Sequence, residues 1–125
     1  MSALSMDGTD PASWDPELDA VAAAPRHHQV LYEDELIRVV SVSIEPGMQE
    51  PLHHHRWPSV FVIDRLPQRM RDFDGQGREI PLPVQADAAL PLVVRFLPQP
   101  LHSVRNEDRV PFHGTRIEFK QGFPD

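Results

Sequence analysis

The sequence predicts a single all-β domain behind a short acidic arm. Short segments in which apolar and polar residues alternate recur along residues 26–122, and proline or glycine separates them. No helical period of useful length follows residue 25. Many short strands with proline-rich connections in about 100 residues are typical of an antiparallel sandwich or a small barrel. The total of 125 residues is enough for one ordinary domain and too small for two.

Residues 1–25 form the predicted arm. They contain no basic residue, and their acidic residues are Asp7, Asp10, Asp15, Glu17 and Asp19. The first 14 residues lack periodicity, which is typical of a disordered or loosely packed segment. A short helix is expected at 16–24, because Asp15 caps its start and Pro25 ends it. We expect the arm to pack against a second subunit, since the edge strands of so small a barrel need cover.

Seven segments carry the alternation that predicts strands: 36–44, 59–64, 68–73, 78–84, 92–97, 101–105 and 115–120. Residues 74–77 are expected to form a hairpin turn, and residues 85–91 a loop. On the first strand, Arg38 lies on an otherwise apolar face. If buried, it requires a carboxylate partner or a bound anion, but a head that reaches water near the strand end is favoured. On the last strand, Arg116 and Glu118 share one face. A solvated face is favoured there over a pair of pocket residues.

The composition excludes several classes of site and partner. Without cysteine there is no disulfide, thiolate zinc site, iron–sulfur cluster or cysteine nucleophile. With 12 basic and 19 acidic side chains the net charge is −7, and no basic run exceeds two residues, so neither nucleic acid nor an anionic membrane is an expected partner. The acidic start and the short apolar run at 20–24 resemble neither a signal peptide nor a membrane span, and a cytoplasmic location is expected.

The seven histidines include the run His53-His54-His55. If this run is extended, His53 and His55 project from one face with Cα atoms roughly 6.5 Å apart. Two imidazoles at that spacing bind one ion when a third ligand joins them, and His102 on a later predicted strand is the best candidate. The alternative is a pair of polar residues that line a barrel and bind an organic ligand or water without metal.

The remaining histidines are expected to lie outside the site. His54 points away from its neighbours and is predicted at the surface or at a subunit interface. His27 and His28 are predicted as solvated residues that lead into the first strand, and His113 as structural. Trp57 and Phe61 share the parity of His55 and are candidate walls of a pocket, although ordinary core packing is favoured for Phe61.

These motifs resemble those of the cupin superfamily, which includes the RmlC-like proteins. Gly47, five residues, then His53-x-His55 is similar to the opening of the first cupin motif, and His102 with Asn106 is similar to the close of the second. The resemblance extends over about residues 25–120 and is to small, single-domain cupins without a characterised function. It implies a double-stranded β-helix, a jelly-roll-like barrel, at 26–122, with a metal site at its centre, in a homodimer.

One position departs from the cupin pattern. The glutamate that cupins usually place four or five residues after the second histidine is replaced here by Ser59 or Val60. The resemblance therefore implies the three-histidine set of some cupin dioxygenases, with His53, His55 and His102 around a divalent ion such as Fe, Ni or Zn. It implies an iron-dependent dioxygenase acting on a small organic substrate, with no catalytic base assigned. The alternative is a non-catalytic cupin that binds or senses a small molecule without metal.

Overall fold

A computed structural model describes residues 10–124 and confirms the predicted all-β class. The described chain forms nine strands: β1 His28–Glu33, β2 Ile37–Ile44, β3 His53–His55, β4 Ser59–Arg65, β5 Met70–Asp74, β6 Glu79–Ile80, β7 Leu92–Phe96, β8 Gln99–Asn106 and β9 Phe112–Phe119. Before them lie two 3-10 turns, Pro11–Ser13 and Pro16–Leu18, and one helix, α1, Ala20–Ala23. None of the helices described within 10–124 is long and apolar enough to cross a membrane.

The strands form two antiparallel sheets. One has the order β1-β2-β9-β4-β7 and the other the order β3-β8-β5-β6. The predicted strand at 59–64 corresponds to β4 and that at 92–97 to β7, each to within one residue. The lead-in around His28 proves to be a strand, β1, and of the predicted strand at 78–84 only Glu79–Ile80 is paired. Hydrophobic alternation did not predict β1, because five of its six residues are exposed.

Strand register decides which residues face the interior. On β2 the buried residues alternate, as predicted, from Arg38 to Ile44. Because Arg38 pairs with Glu118 and Val40 pairs with Arg116, those residues of β9 face inwards as well. The expectation of a solvated face on β9 is therefore wrong: Arg116 is 4% exposed and Glu118 1%. β9 alternates as predicted, but the face with Arg116 and Glu118 is the buried one.

The interior changes character from one end of the barrel to the other. At one end lies an apolar core, whose buried members are Val40, Val42, Ile44, Phe61, Ile63, Val104 and Phe112. At the other end the inward positions are charged or polar. Gly114 leaves room for the ring of Phe61 in the core, because a Cβ atom there would lie 2.4 Å from Cε1 of that ring. The polar end holds the candidate site.

The arm packs on the barrel of its own chain. Trp14, Ala20 and Ala24 are at most 3% exposed, and Asp19 forms an isolated parallel bridge with His54. The predicted helix at 16–24 is a 3-10 turn capped by Asp15, followed by α1, which Asp19 caps. Residues 1–9 of the predicted arm lie outside the described residues. The division of the chain at residues 25 and 26 into an arm and a barrel remains a prediction.

Arg38 links the arm to the barrel. Its Nη2 donates to both carboxylate oxygens of Asp19, at 3.1 and 2.9 Å, and its Nε donates to Glu118 on β9. The expectation that its head reaches water is wrong, since the residue is 7% exposed. The arm covers this end of β2 and supplies a carboxylate that the strand pattern alone does not contain.

Candidate metal centre

Four histidine rings meet inside the barrel: His28 from β1, His53 and His55 from β3, and His102 from β8. The ring centre of His53 lies 4.8 Å from that of His28, 4.9 Å from that of His55 and 4.7 Å from that of His102. His53 and His102 are direct partners across β3 and β8, so their side chains share the inner face. The structure thus brings the three predicted residues together and adds His28.

Hydrogen bonds at Nδ1 orient three of the four rings. Nδ1 of His28 donates to the carbonyl oxygen of Ala24 at 3.0 Å, and Nδ1 of His53 donates to that of Pro51 at 2.8 Å. Nδ1 of His102 lies 3.0 Å from a carboxylate oxygen of Asp72. Because the two carbonyl oxygens carry no hydrogen, Nδ1 of His28 and of His53 holds the ring proton, and Nε2 of each of these two neutral rings keeps its lone pair.

Three ring nitrogens of the cluster are buried and have no hydrogen-bond partner within residues 10–124: Nε2 of His53, Nε2 of His102 and Nδ1 of His55. Nδ1 of His55 lies 4.0 Å from a carboxylate oxygen of Glu118. Among the described residues, candidate ligand atoms of His28, His53 and His55 all lie within 4.8 Å of one another, and this group does not include the predicted ligand His102. Neutral imidazole nitrogens of this kind are the atoms with which histidine binds metal ions.

Glu50 brings a carboxylate to the cluster. Its Oε2 lies 3.4 Å from Nε2 of His28 and 3.8 Å from Nε2 of His53. The residue is 4% exposed, and Val104 donates its backbone N–H to the other oxygen. Sequence reasoning missed both Glu50 and His28. Glu50 precedes the histidine run in a segment without strand periodicity, and His28 faces inwards only because it pairs with the inward residue Val42.

Burial shifts the pKa values of the cluster. Loss of water lowers the pKa of His28 to about 3 and holds those of His53 and His55 well below the usual range, so these rings are neutral at neutral pH. Loss of water raises the pKa of Glu50 to about 7. Neutral imidazoles beside a carboxylate form a donor set suited to a divalent cation.

A cavity opens from the cluster towards the apolar core. Its volume, measured as the space open to the centre of a water-sized sphere, is about 60 Å³. The four histidines, Glu50 and Arg116 line its polar end, and Phe61, Ile63, Phe96 and Phe112 contribute to its apolar wall. Phe61 is thus both a lining and a core residue. Trp57 is not among the lining residues; its ring packs against Arg38, 4.7 Å from the guanidinium carbon.

The other histidines lie outside the cluster. His54 is fully buried under the arm, where Nε2 donates to the carbonyl oxygen of Asp15 at 2.7 Å, so the expected surface position is wrong. His27 is buried as well, and its Nδ1 donates to the carbonyl oxygen of Ser43 at 2.9 Å. His113 joins Asp64 and Ser41 at the side of the barrel, consistent with a structural role.

Solved structures share the fold. A cupin domain from Bordetella pertussis superposes with a TM-score of 0.56 at 18% identity, over 74% of this chain and 91% of that chain. An RmlC-like cupin with a double-stranded β-helix from Methanocaldococcus jannaschii superposes with a TM-score of 0.53 at 11% identity, over 74% of this chain and 77% of that chain. The chain has the cupin fold. No family model matches the sequence, and no curated protein does. A Klebsiella pneumoniae protein with a double-stranded β-helix domain superposes with a TM-score of 0.51 at 19% identity, over 72% of each chain.

At the position where cupins usually carry glutamate, this chain has a serine that contacts Arg116 and not the histidine cluster. Ser59 is fully buried, and its hydroxyl accepts a hydrogen bond from Nη1 of Arg116 at 2.9 Å. The carboxylate beside the histidines comes instead from Glu50, ahead of β3. The resemblance in sequence therefore located the histidine cluster, while the source of its carboxylate was apparent only in three dimensions.

Proposed function

We propose that this chain binds one divalent metal ion through His53, His55 and His102, with His28 as a further ligand. The observation that carries the proposal is the convergence of ligand nitrogens of His28, His53 and His55 within 4.8 Å of one another. The ring centre of His102 lies 4.7 Å from that of His53, and its buried Nε2 has no hydrogen-bond partner among the described residues. Glu50 adds an oxygen to the same space. Lone pairs that face one another in a dry site repel unless a cation lies between them, and a divalent ion fits this donor set.

We propose further that the ion is iron and that the protein is a dioxygenase for a small organic substrate. Bound iron supplies Lewis acidity and exchanges electrons with dioxygen. The chain's own residues have three tasks. The histidines would hold the ion, the Asp72 carboxylate holds the ring of His102, and the apolar wall around Phe61 would keep water from the substrate. Nickel and zinc suit the same nitrogen ligands and are the competing ions.

A second candidate is a non-catalytic protein that binds or senses a small molecule. The large apolar wall of the cavity supports it, as does the lack of an assigned catalytic base. In this case the histidines and Glu50 hydrogen-bond a polar group of the ligand. The two candidates share the cavity and differ in whether a metal is required.

Elemental analysis of the purified protein tests the metal site. We expect about one equivalent of a divalent metal in the wild type and its loss in His55→Ala, because a mononuclear site loses one of its central ligands. Unchanged metal content after this substitution removes the metal proposal. Thermal shift distinguishes the second candidate, since a ligand stabilises by about RT ln(1 + [L]/Kd): stabilisation by organic ligands but by no divalent metal favours it.

We also propose that the chain forms a homodimer through β1. This strand is an edge of the five-stranded sheet, and Val30, Leu31 and Tyr32 are between 36% and 56% exposed. An exposed apolar edge is favourable to cover with a second copy. We expect sedimentation velocity to show a dimer that Leu31→Lys dissociates. A monomer at all concentrations contradicts this proposal. The cytoplasmic location remains a prediction from sequence.

A further inference from the structure

Arg116 is a buried cation without a carboxylate in contact. It is 4% exposed and lines the cavity. Its Nη1 donates to Oγ of Ser59 at 2.9 Å and to Oε1 of Gln99 at 3.0 Å, and both acceptors are neutral. Its Nε is buried and has no hydrogen-bond partner within the described chain. Burial lowers the pKa of Arg116 to about 10, so the group is still charged at neutral pH.

Arg38, the second buried arginine of the barrel, differs from Arg116 in its contacts with carboxylates. Arg38 is in direct contact with two carboxylates, Asp19 and Glu118. Arg116 lies one inward position further along the sheet, where its partner across the strands is Val40. Charges buried in a protein interior are normally paired. The barrel thus pairs one guanidinium internally and leaves the other facing the cavity.

The surroundings of Arg116 restrict what can pair with it. Its guanidinium carbon lies 4.6 Å from the ring centre of Phe61 and 5.3 Å from that of Phe96, and both rings line the cavity. An anion at Arg116 is therefore next to an apolar wall. Glu50 and Asp72 line the same cavity, and Glu118 and Glu50 attract Arg116 electrostatically without contacting it, so a second negative charge on the ligand would be repelled.

We propose that Arg116 binds the carboxylate of the ligand, and that this ligand is a small organic monocarboxylate whose apolar body lies against Phe61 and Phe96. The planar guanidinium matches the planar carboxylate, and its buried Nε has no other hydrogen-bond partner among the described residues. This inference rests on the proposed function, because the same cavity holds the ligand, and it names the chemical class of that ligand. Arg116 holds the ligand independently of the metal.

Benzoate and benzamide test the inference, because they have the same ring and similar size and differ in charge. Calorimetric titration of the full chain, both chelator-treated and zinc-loaded, measures both affinities. We expect wild type to bind benzoate at least about tenfold more tightly than benzamide, as for a hydrogen bond to a charged group. In Arg116→Gln the ratio falls to about one, and Arg116→Lys keeps part of it. Arg95→Gln, which removes an exposed arginine on β7, keeps the full ratio.

Three results overturn the inference: equal affinities of the wild type for the two compounds, a ratio that survives in Arg116→Gln, or no binding of benzoate up to about 10 mM. The first and third results are measured on the wild type alone, so the inference can be rejected even if Arg116→Gln does not fold. Metal content is measured in parallel. A preference for benzoate in protein that binds no metal supports this inference and rejects the metal site. Metal binding without a preference for benzoate supports the metal site and rejects this inference.

Discussion

Replacing Arg38 by methionine is expected to lower the free energy of unfolding by about 3–5 kcal/mol. The substitution keeps much of the side-chain volume but removes the charge between Asp19 and Glu118. Both carboxylates are at most 3% exposed, so they would be left buried without a cation in contact. Urea unfolding followed by circular dichroism measures the loss. The arm is expected to detach first, because Asp19 is its ionic contact with β2.

Two further variants separate the charge from the packing. The triple variant Arg38→Met, Asp19→Asn, Glu118→Gln also removes the two carboxylates that Arg38→Met leaves buried without a cation. It is expected to recover a large part of the lost stability. Arg95→Met replaces an exposed arginine and is expected to change stability by less than about 0.5 kcal/mol. A loss below about 1 kcal/mol in Arg38→Met contradicts the assignment of Arg38 as the central charge of this cluster.

Replacing His53 by alanine is expected to weaken metal binding by more than about 100-fold. His53 is the central ring of the cluster, since its centre lies within 4.9 Å of those of His28, His55 and His102. Its Nδ1–H is held by the carbonyl oxygen of Pro51, so Nε2 points into the site with its lone pair free. Competition with a chromogenic chelator measures the affinity of chelator-treated protein for zinc and nickel.

His54→Ala is the matched control for His53→Ala. It removes an imidazole of equal burial from the same strand, but one that bonds to Asp15 and packs on Trp14 instead of entering the cluster. We expect it to reduce stability and to leave the metal affinity within about threefold of wild type, because it removes no proposed ligand. Equal metal affinity in wild type and His53→Ala, or equal losses in the two variants, contradicts the proposed ligand set.

The fold class and the position of the histidine cluster were accessible from sequence because they depend on local patterns. Alternation predicted β4 and β7, and the spacing of His53 and His55 predicted that they share a face. Resemblance to cupin motifs added His102. His28 and Glu50 were missed for a common reason: what brings each of them to the cluster is a pairing with a distant part of the chain, Val42 for His28 and Val104 for Glu50.

By itself, the sequence determined an all-β barrel with inward histidines and no cysteine ligands, because strand period and composition are properties of neighbouring residues. Only the tertiary structure decided which face of β9 is buried. Register against β2 turns Arg116 and Glu118 inwards, although their polarity favours water. The arm then neutralises one end of this polar interior through Asp19, and the other end is left as a cavity with a charged wall. Strand pairing and burial of charge, both long-range interactions, thus shaped the site.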